Sequence, residues 1–486
     1  MSEEITGKKV ATNWIWRFFE RCSAQIVTFI VGIVLARILG PKAYETIALI
    51  TIITAVLEVF VNSGFGNALI QKKDSDDLDF SSVFYFNMTL CVIIYLILFA
   101  ASPLIAKFYD RPDLTKIIWV VGTIIIISGL KNILHAYVSK HLLFKKFFFS
   151  TLLGTLVSGG VGIALALSGA GVWALVAQVL LNPLIDTIVL FITVKWRPKK
   201  IFSWVRIKIL FSFGWKLLVS GLLDTFTQKL SQLVIGKQNS EDPNISFYQK
   251  GESFPSLLTG AINASMDSVL LPVLSSAQDE KEKVKAMTKR AIKSSSFLVM
   301  PMMMGLGVCA NQIVFILLGE AWLPTVPFLQ IFCFVYAFYP IHTSNLNAIK
   351  SVGKSDIFLI LEIIKDSVTI IAILICARFG VMAVAYAVLG GSVFSQFVNA
   401  FPNKKLINYG YFSQIFDILP TIILTICMGT IVYFIGYFFG NAFWVLAVQV
   451  SVGIMFYFLV AFVFKFESFE YIKKIAFSFF SKKSNK

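Results

Sequence analysis

The chain has 486 residues, of which 57% are hydrophobic and only 14% charged, with 43 Lys+Arg against 27 Asp+Glu and a net charge of +16. Soluble domains average about 25% charged residues. This composition therefore excludes an ordinary soluble enzyme, a disordered chain and a disulfide scaffold, and it assigns the excess of basic residues to the loops of a membrane protein rather than to nucleic-acid binding.

A membrane-crossing helix needs about 20 mostly apolar residues. Fourteen such stretches are expected, near 13–38, 44–66, 80–106, 115–138, 147–168, 172–194, 209–235, 247–275, 291–318, 326–349, 355–377, 381–402, 413–438 and 441–464. The breaks between neighbours are short, as at Gly40-Pro41 and Ser168–Gly171, and leave no room for a soluble domain. The first apolar run contains Arg17, Glu20 and Arg21 and lacks a small-residue cleavage site, so it reads as a span and not as a cleaved signal peptide. With the N-terminus inside, the cytoplasmic segments carry 29 Lys/Arg and the outer segments six. That imbalance orients the chain with both termini in the cytoplasm.

Beyond those loop residues, eight basic residues are left to the expected spans, with at least eight acidic ones. Each costs about 3 kcal/mol if it faces lipid, on the order of 50 kcal/mol for the set. They must therefore face a wet cavity, a partner charge or the interface. Several lie on single helix faces: Ser128, Lys131 and His135; Gln178, Asn182 and Asp186; Glu252, Ser256, Thr259, Asn263 and Asp267; and Glu362, Lys365, Asp366 and Thr369.

Two internal matches point to a repeat. Gly171–Leu180 recurs as Gly380–Leu389 with five of ten positions identical. Arg17, Arg21, Gln25, Thr28 and Gly32 run in step with Lys216, Ser220, Asp224, Thr227 and Ser231. Both sets occupy an arc of about 80° on a helix. The expected architecture is all-α and polytopic, with two six-helix lobes in parallel repeat and two extra helices. The first lobe covers 1–205 and the second 206–402; 403–486 holds the last two spans and a basic amphipathic tail. Transporters built from such repeats bind substrate between the halves.

Other motifs carry little chemistry. The six cysteines lie in apolar runs with no Cys-x-x-Cys pair, and the three histidines form no metal-ligand pattern. Asp74–Asp79 reads as a solvated loop with helix-capping acids. Gly353-Lys354-Ser355 lacks the first glycine of a P-loop, since position 348 is Ala348. Lys195–Lys200 reads as an interfacial linker on anionic lipid.

Leu35–Tyr44 resembles the end of the first helix and the following turn in Wzx-type polysaccharide transporters of the multidrug/oligosaccharidyl-lipid/polysaccharide exporter superfamily. Tyr248–Ser256, continuing through Asn263 to Ser275, resembles the eighth-helix signature of the WzxC-like branch, and Gly353–Asp356 with Leu361–Lys365 its eleventh. Glu45 stands where that family usually has glycine, and Gln249-Lys250 where it has Asn-Arg. The resemblance implies a flippase, not an enzyme, that moves an undecaprenyl-diphosphate-linked oligosaccharide across a bacterial cytoplasmic membrane. It implies no cofactor, metal or nucleic acid. Its partners would be the lipid-linked substrate, membrane lipids, a coupling proton or sodium ion and other polysaccharide-assembly proteins. On that reading Arg17, Arg21, Gln25, Lys216, Lys250, Asn263 and Lys365 contact substrate, and Asp224, Glu252, Asp267, Glu362 and Asp366 serve ion coupling. A drug exporter of the same superfamily would want an acidic or neutral cavity instead. A membrane polymerase or glycosyltransferase would want a large outer loop, and a channel fewer helices around a pore.

Reporter fusions test the orientation. Fusions at either terminus and within Lys281–Lys293 should show cytoplasmic activity; periplasmic activity at a terminus contradicts the topology.

Overall fold

The computed structural model describes residues 7–62, 65–72, 75–141, 143–238, 243–436, 441–471 and 473. Side chains at some further positions inside helices, including all of 7–22, also lie outside the described set. Among the described residues the regular structure is helical throughout: α1 Gly7–Asn62, α2 Phe65–Gln71, α3 Asp77–Phe108, α4 Leu114–Gly122, α5 Ile124–Lys140, α6 Phe144–Leu167, α7 Val172–Thr193 and α8 Trp204–Gln238. There follow α9 Asn244–Ser275, α10 Lys281–Val308, α11 Ala310–Leu317, α12 Val326–Ala337, α13 Tyr339–Ser351, α14 Ser355–Cys376, α15 Val381–Leu406, α16 Tyr411–Ile435 and α17 Ala442–Val463.

Ten helical stretches among the described residues are long and apolar enough to cross a membrane. The expected fourteen is a larger number. It treats the two arms of α1 as separate spans and includes α8, α9 and α14, which are not among the ten. In α14 the reason is plain, because Glu362, Lys365 and Asp366 interrupt the apolar run within two turns. The arms of α1 meet at Gly40, whose φ of 71° and ψ of 177° are open to glycine and strained for other residues, and Pro41 removes the next backbone donor.

The chain divides into two compact units, Met1–Ser246 and Phe247–Lys486. The expected boundary at 205/206 would place α8 with the second lobe. In the fold α8 packs on α1, α2 and α3 and belongs to the first unit.

Within the first unit α6 and α7 form the most extensive helix pair. Gly154 lets them approach: a Cβ there would lie 2.9 Å from the Asn182 carbonyl oxygen and 3.4 Å from the Asp186 nitrogen. Small residues at such crossings are how membrane helices pack without a hydrophobic drive. Gly171 precedes α7 with φ 58° and Gly380 precedes α15 with φ 97°, so the repeated glycine plays the same part, a left-handed turn before a helix, in both units. Gly353, at φ 74°, likewise makes the turn between α13 and α14.

Asp79, at the end of the acidic loop, is less solvated than expected, while Asp74 lies outside the described residues. Asp76 and Asp79 form a reciprocal capping box at the start of α3 (2.9 and 3.2 Å). Asp79 is fully buried, bonded to Lys72 at 2.5 Å and within 3.6 Å of Arg206. The Asp79 backbone N–H holds the Asp76 carboxyl below the usual carboxylate range. The basic linker after α7 also finds protein partners before lipid. Lys199 pairs with Asp77, Trp196 donates to Asp77, and Arg197 donates to the Val194 and Trp196 carbonyls. At another loop Glu45 pairs with Arg111 (3.5 Å), which also donates to Thr46 and Asp113. The Arg111 guanidinium holds Asp113 below the usual range. Past α17, Phe469 packs on Phe297, Phe458 and Phe462, consistent with the apolar face expected of the tail; residue 472 and those from 474 onward lie outside the described residues.

Two substitutions on α6 test the close crossing. Gly154→Val should cost about 1–3 kcal/mol, read as a lower thermal unfolding temperature in detergent. Gly160→Ala, where an added Cβ meets nothing within 4 Å, should be neutral or stabilising by up to about 1 kcal/mol. Equal effects would contradict the packing.

Candidate functional site

In the first unit, polar stripes on three helices converge. On α5, Ser128, Lys131, Asn132 and His135 follow i, i+3, i+4, i+7 spacing and share a face. Lys131 Nζ lies 2.7 Å from Asp186 Oδ2 on α7, and His135 Nε2 lies 3.6 Å from the same oxygen. Ser128 donates to Glu58 Oε1 of α1 (3.3 Å), and Asn132 donates to the Val61 carbonyl (2.6 Å), tying α1 to α5. Glu58, Ser128, Lys131, Asn132 and His135, with Ile124 and Pro183, line a cavity of about 280 Å³, and Asp186 sits beside it against Lys131. Asp186 is 1% exposed. A carboxylate so buried is tolerable only because Lys131 answers its charge. Its other oxygen, Oδ1, has no hydrogen-bond partner among the described residues. Two carboxylates, an ammonium and an imidazole around one small cavity make a site that can exchange a proton or hold a cation without placing net charge in lipid.

The second unit holds its polar groups differently. Lys365 Nζ bonds Glu362 Oε1 at 2.7 Å along α14, and its side chain is 9% exposed. Tyr336 donates to Glu252 (3.3 Å), and Lys250 lies over the Trp322 ring at 5.9 Å. Asn345, Gln414 and Asn403 form a fully buried amide network at 2.7–2.9 Å that ties α13, α15 and α16 together. His342 and Asn399 meet at 3.2 Å beside it.

The expected site residues therefore have separate fates. Glu362 and Lys365, given different roles above, form one ion pair because i, i+3 spacing brings them together. Asp366 shares their helix. Asn263 is buried, and neither polar atom of its side chain has a partner among the described residues. Gln25 is exposed. The side chains of Arg17, Arg21, Lys216, Asp224 and Asp267 lie outside the described residues. The Glu58–Lys131–His135–Asp186 cluster was absent from the expected site. Its stripes are visible in the sequence; that they face one another is a property of the packing.

With this geometry in hand, comparison with known proteins decides the family. The sequence model for polysaccharide biosynthesis proteins matches residues 34–327, more than half of the chain. The chain belongs to that family. It is similar to the succinoglycan biosynthesis transport protein ExoT of Rhizobium meliloti (strain 1021), 20% identical over 393 residues that cover 81% of this chain and 77% of the relative. It is also similar to the lipopolysaccharide biosynthesis protein WzxC of Escherichia coli (strain K12), 22% identical over 435 residues, 84% of this chain and 86% of the relative. Among solved structures, the lipid II flippase MurJ in an inward closed conformation superposes with a TM-score of 0.76 at 17% identity, covering 93% of this chain and 98% of MurJ. At that identity the likeness is one of fold. The expected relation to WzxC-like transporters and the polytopic helical fold are thus both borne out.

A double-mutant cycle tests the buried pair. Asp186→Ala should cost about 3–5 kcal/mol by stranding the Lys131 charge. Lys131→Met with Asp186→Leu should cost clearly less than the sum of the single changes, because both charges leave together. Additive costs in detergent unfolding would show that the two side chains do not interact.

Proposed function

We propose that this protein flips an undecaprenyl-diphosphate-linked oligosaccharide across the cytoplasmic membrane for surface polysaccharide synthesis, as a transporter and not as an enzyme. The observation that carries the proposal is the family match over 34–327, joined to relatives named for succinoglycan transport and lipopolysaccharide biosynthesis. The fold likeness to a lipid II flippase over 93% of the chain supports it.

The physical task suits the residues. A diphosphate is anionic and strongly hydrated, and hydrocarbon rejects it. Arg17 on α1 and Lys216 on α8 hold equivalent stripe positions, and Arg21 lies one turn beyond Arg17. They would replace water around the diphosphate with charge-assisted hydrogen bonds. Gln25, Lys250 and Asn263 are further substrate candidates. Lys365 would contribute only in a state that releases it from Glu362, since that pair already satisfies it.

A cycle that exposes the substrate site alternately to the inner and outer leaflets needs a driving ion. Asp224, Glu252, Asp267, Glu362 and Asp366 are candidates for its binding, and the Glu58–Asp186 cavity adds a further one. The coupling ion in this proposal is a proton or sodium. The charge imbalance among loops supports a location in the bacterial cytoplasmic membrane with both termini inside.

The test is genetic and biochemical. Deleting the gene should trap repeat units on undecaprenyl diphosphate in the inner leaflet and abolish the surface polymer while synthesis of the unit continues. Arg17→Ala and Lys216→Ala should each abolish or sharply reduce export at normal protein level. Arg17→Lys and Lys216→Arg should keep part of it, because each retains the charge. Normal polymer in a deletion strain with no other flippase would overturn the proposal.

A further inference from the structure

The second unit holds a larger cavity, about 820 Å³, in the groove between α9 and α10. Its α9 wall is Ile262, Met266, Leu270 and Val273, an apolar face at i, i+4, i+8, i+11. Its α10 wall runs from Met287 to Leu298. Each wall covers about eleven residues, or about 16 Å of helix. Val273 and Leu298 are 42% and 39% exposed, so the groove opens outward along apolar surface.

The α10 wall changes character along its length. Lys281–Lys293 is rich in charge, and the helix from Phe297 to Val308 is apolar. Arg290 and Ser294 flank the change. There a smaller chamber of about 170 Å³ adjoins the groove, sharing Arg290, Ser294 and Tyr471 and adding Lys293, Glu467 and Glu470. The Arg290 guanidinium lies over the Tyr471 ring at 4.8 Å, which fixes its plane and leaves its edge for hydrogen bonds. Lys293 bonds the Glu467 carboxylate. That bond holds Glu467 below the usual carboxylate range. Among the described residues the chamber's lining carries two basic and two acidic side chains, which balance in formal charge.

We propose that the groove and chamber together bind one membrane phospholipid with a zwitterionic phosphate–ammonium headgroup. The phosphate sits against Arg290 and Ser294, the ammonium against Glu470, and one acyl chain lies along the α9 wall. The charge balance selects this class. An anionic headgroup would meet Glu467 and Glu470, and a cationic amphiphile would meet Arg290 and Lys293. The groove's apolar α9 wall suits an acyl chain. The inference stands apart from the transport reading, since a lipid held here is neither cargo nor coupling ion.

Native mass spectrometry of the full purified chain tests it. The probes are phosphatidylethanolamine and phosphatidylglycerol of identical acyl chains. Phosphatidylethanolamine should be retained about tenfold better, the worth of one charge-assisted contact. Arg290→Ala should lower its retention about tenfold, Glu470→Gln should shift the preference toward phosphatidylglycerol, and Met266→Trp, which fills the apolar wall, should weaken both lipids. If Arg290→Ala unfolds, Ser294→Ala carries the same test, with an expected severalfold loss. Equal or better retention of phosphatidylglycerol by the unaltered chain overturns the proposal. So does unchanged retention in the variants, or displacement of phosphatidylethanolamine by undecaprenyl diphosphate, which would assign the groove to the substrate lipid.

Discussion

An ionised side chain in hydrocarbon must be answered by an opposite charge, a hydrogen bond or water, and that requirement organises this chain. A helix bundle of this length could be built from leucine, phenylalanine and small residues alone. Here Asp186 is buried on α7, and Lys131 on α5 meets it at 2.7 Å. Lys365 on α14 is answered by Glu362 one turn away. Pairs of this kind are weak sources of stability, because desolvation offsets much of the attraction. Their persistence in an apolar bundle is better explained by a surface that must become wet or bind charge during a transport cycle than by folding.

The same requirement separates the two units in character. The first concentrates its ionisable groups around a cavity of about 280 Å³ walled by α1, α5 and α7. The second also carries neutral amides deep in its core, where Asn345, Gln414 and Asn403 bond one another across α13, α15 and α16. An amide network of this kind ties helices together. An ionic cluster beside a cavity can change occupancy.

Much of this was legible in the sequence, and what was not has a physical cause. Helix positions followed from apolar length, and the glycine turns before α7 and α15 from a ten-residue repeat. The polar stripes followed from three- and four-residue spacing. The stripes did not reveal their partners, because periodicity names the polar face of a helix and says nothing of which helix it meets. Lys365 and Glu362 were read as serving two roles although their spacing alone predicts a pair. Asp79 was read as solvated, since a short acidic loop gives no sign that Lys72 and Arg206 close over it. Nor does a linear pattern show that α8, the start of the second repeat, packs with the first unit.

The most direct measurement reconstitutes the purified chain in sealed proteoliposomes and follows an undecaprenyl-diphosphate-linked oligosaccharide between leaflets with a membrane-impermeant sugar-modifying reagent. The account predicts protein-dependent movement that accelerates when an inward- or outward-directed proton or sodium gradient is imposed, and that slows sharply when Arg17 and Lys216 are both replaced by alanine. Movement no faster than in protein-free liposomes, under every gradient, would contradict the claim that this charged bundle carries a lipid-linked anion.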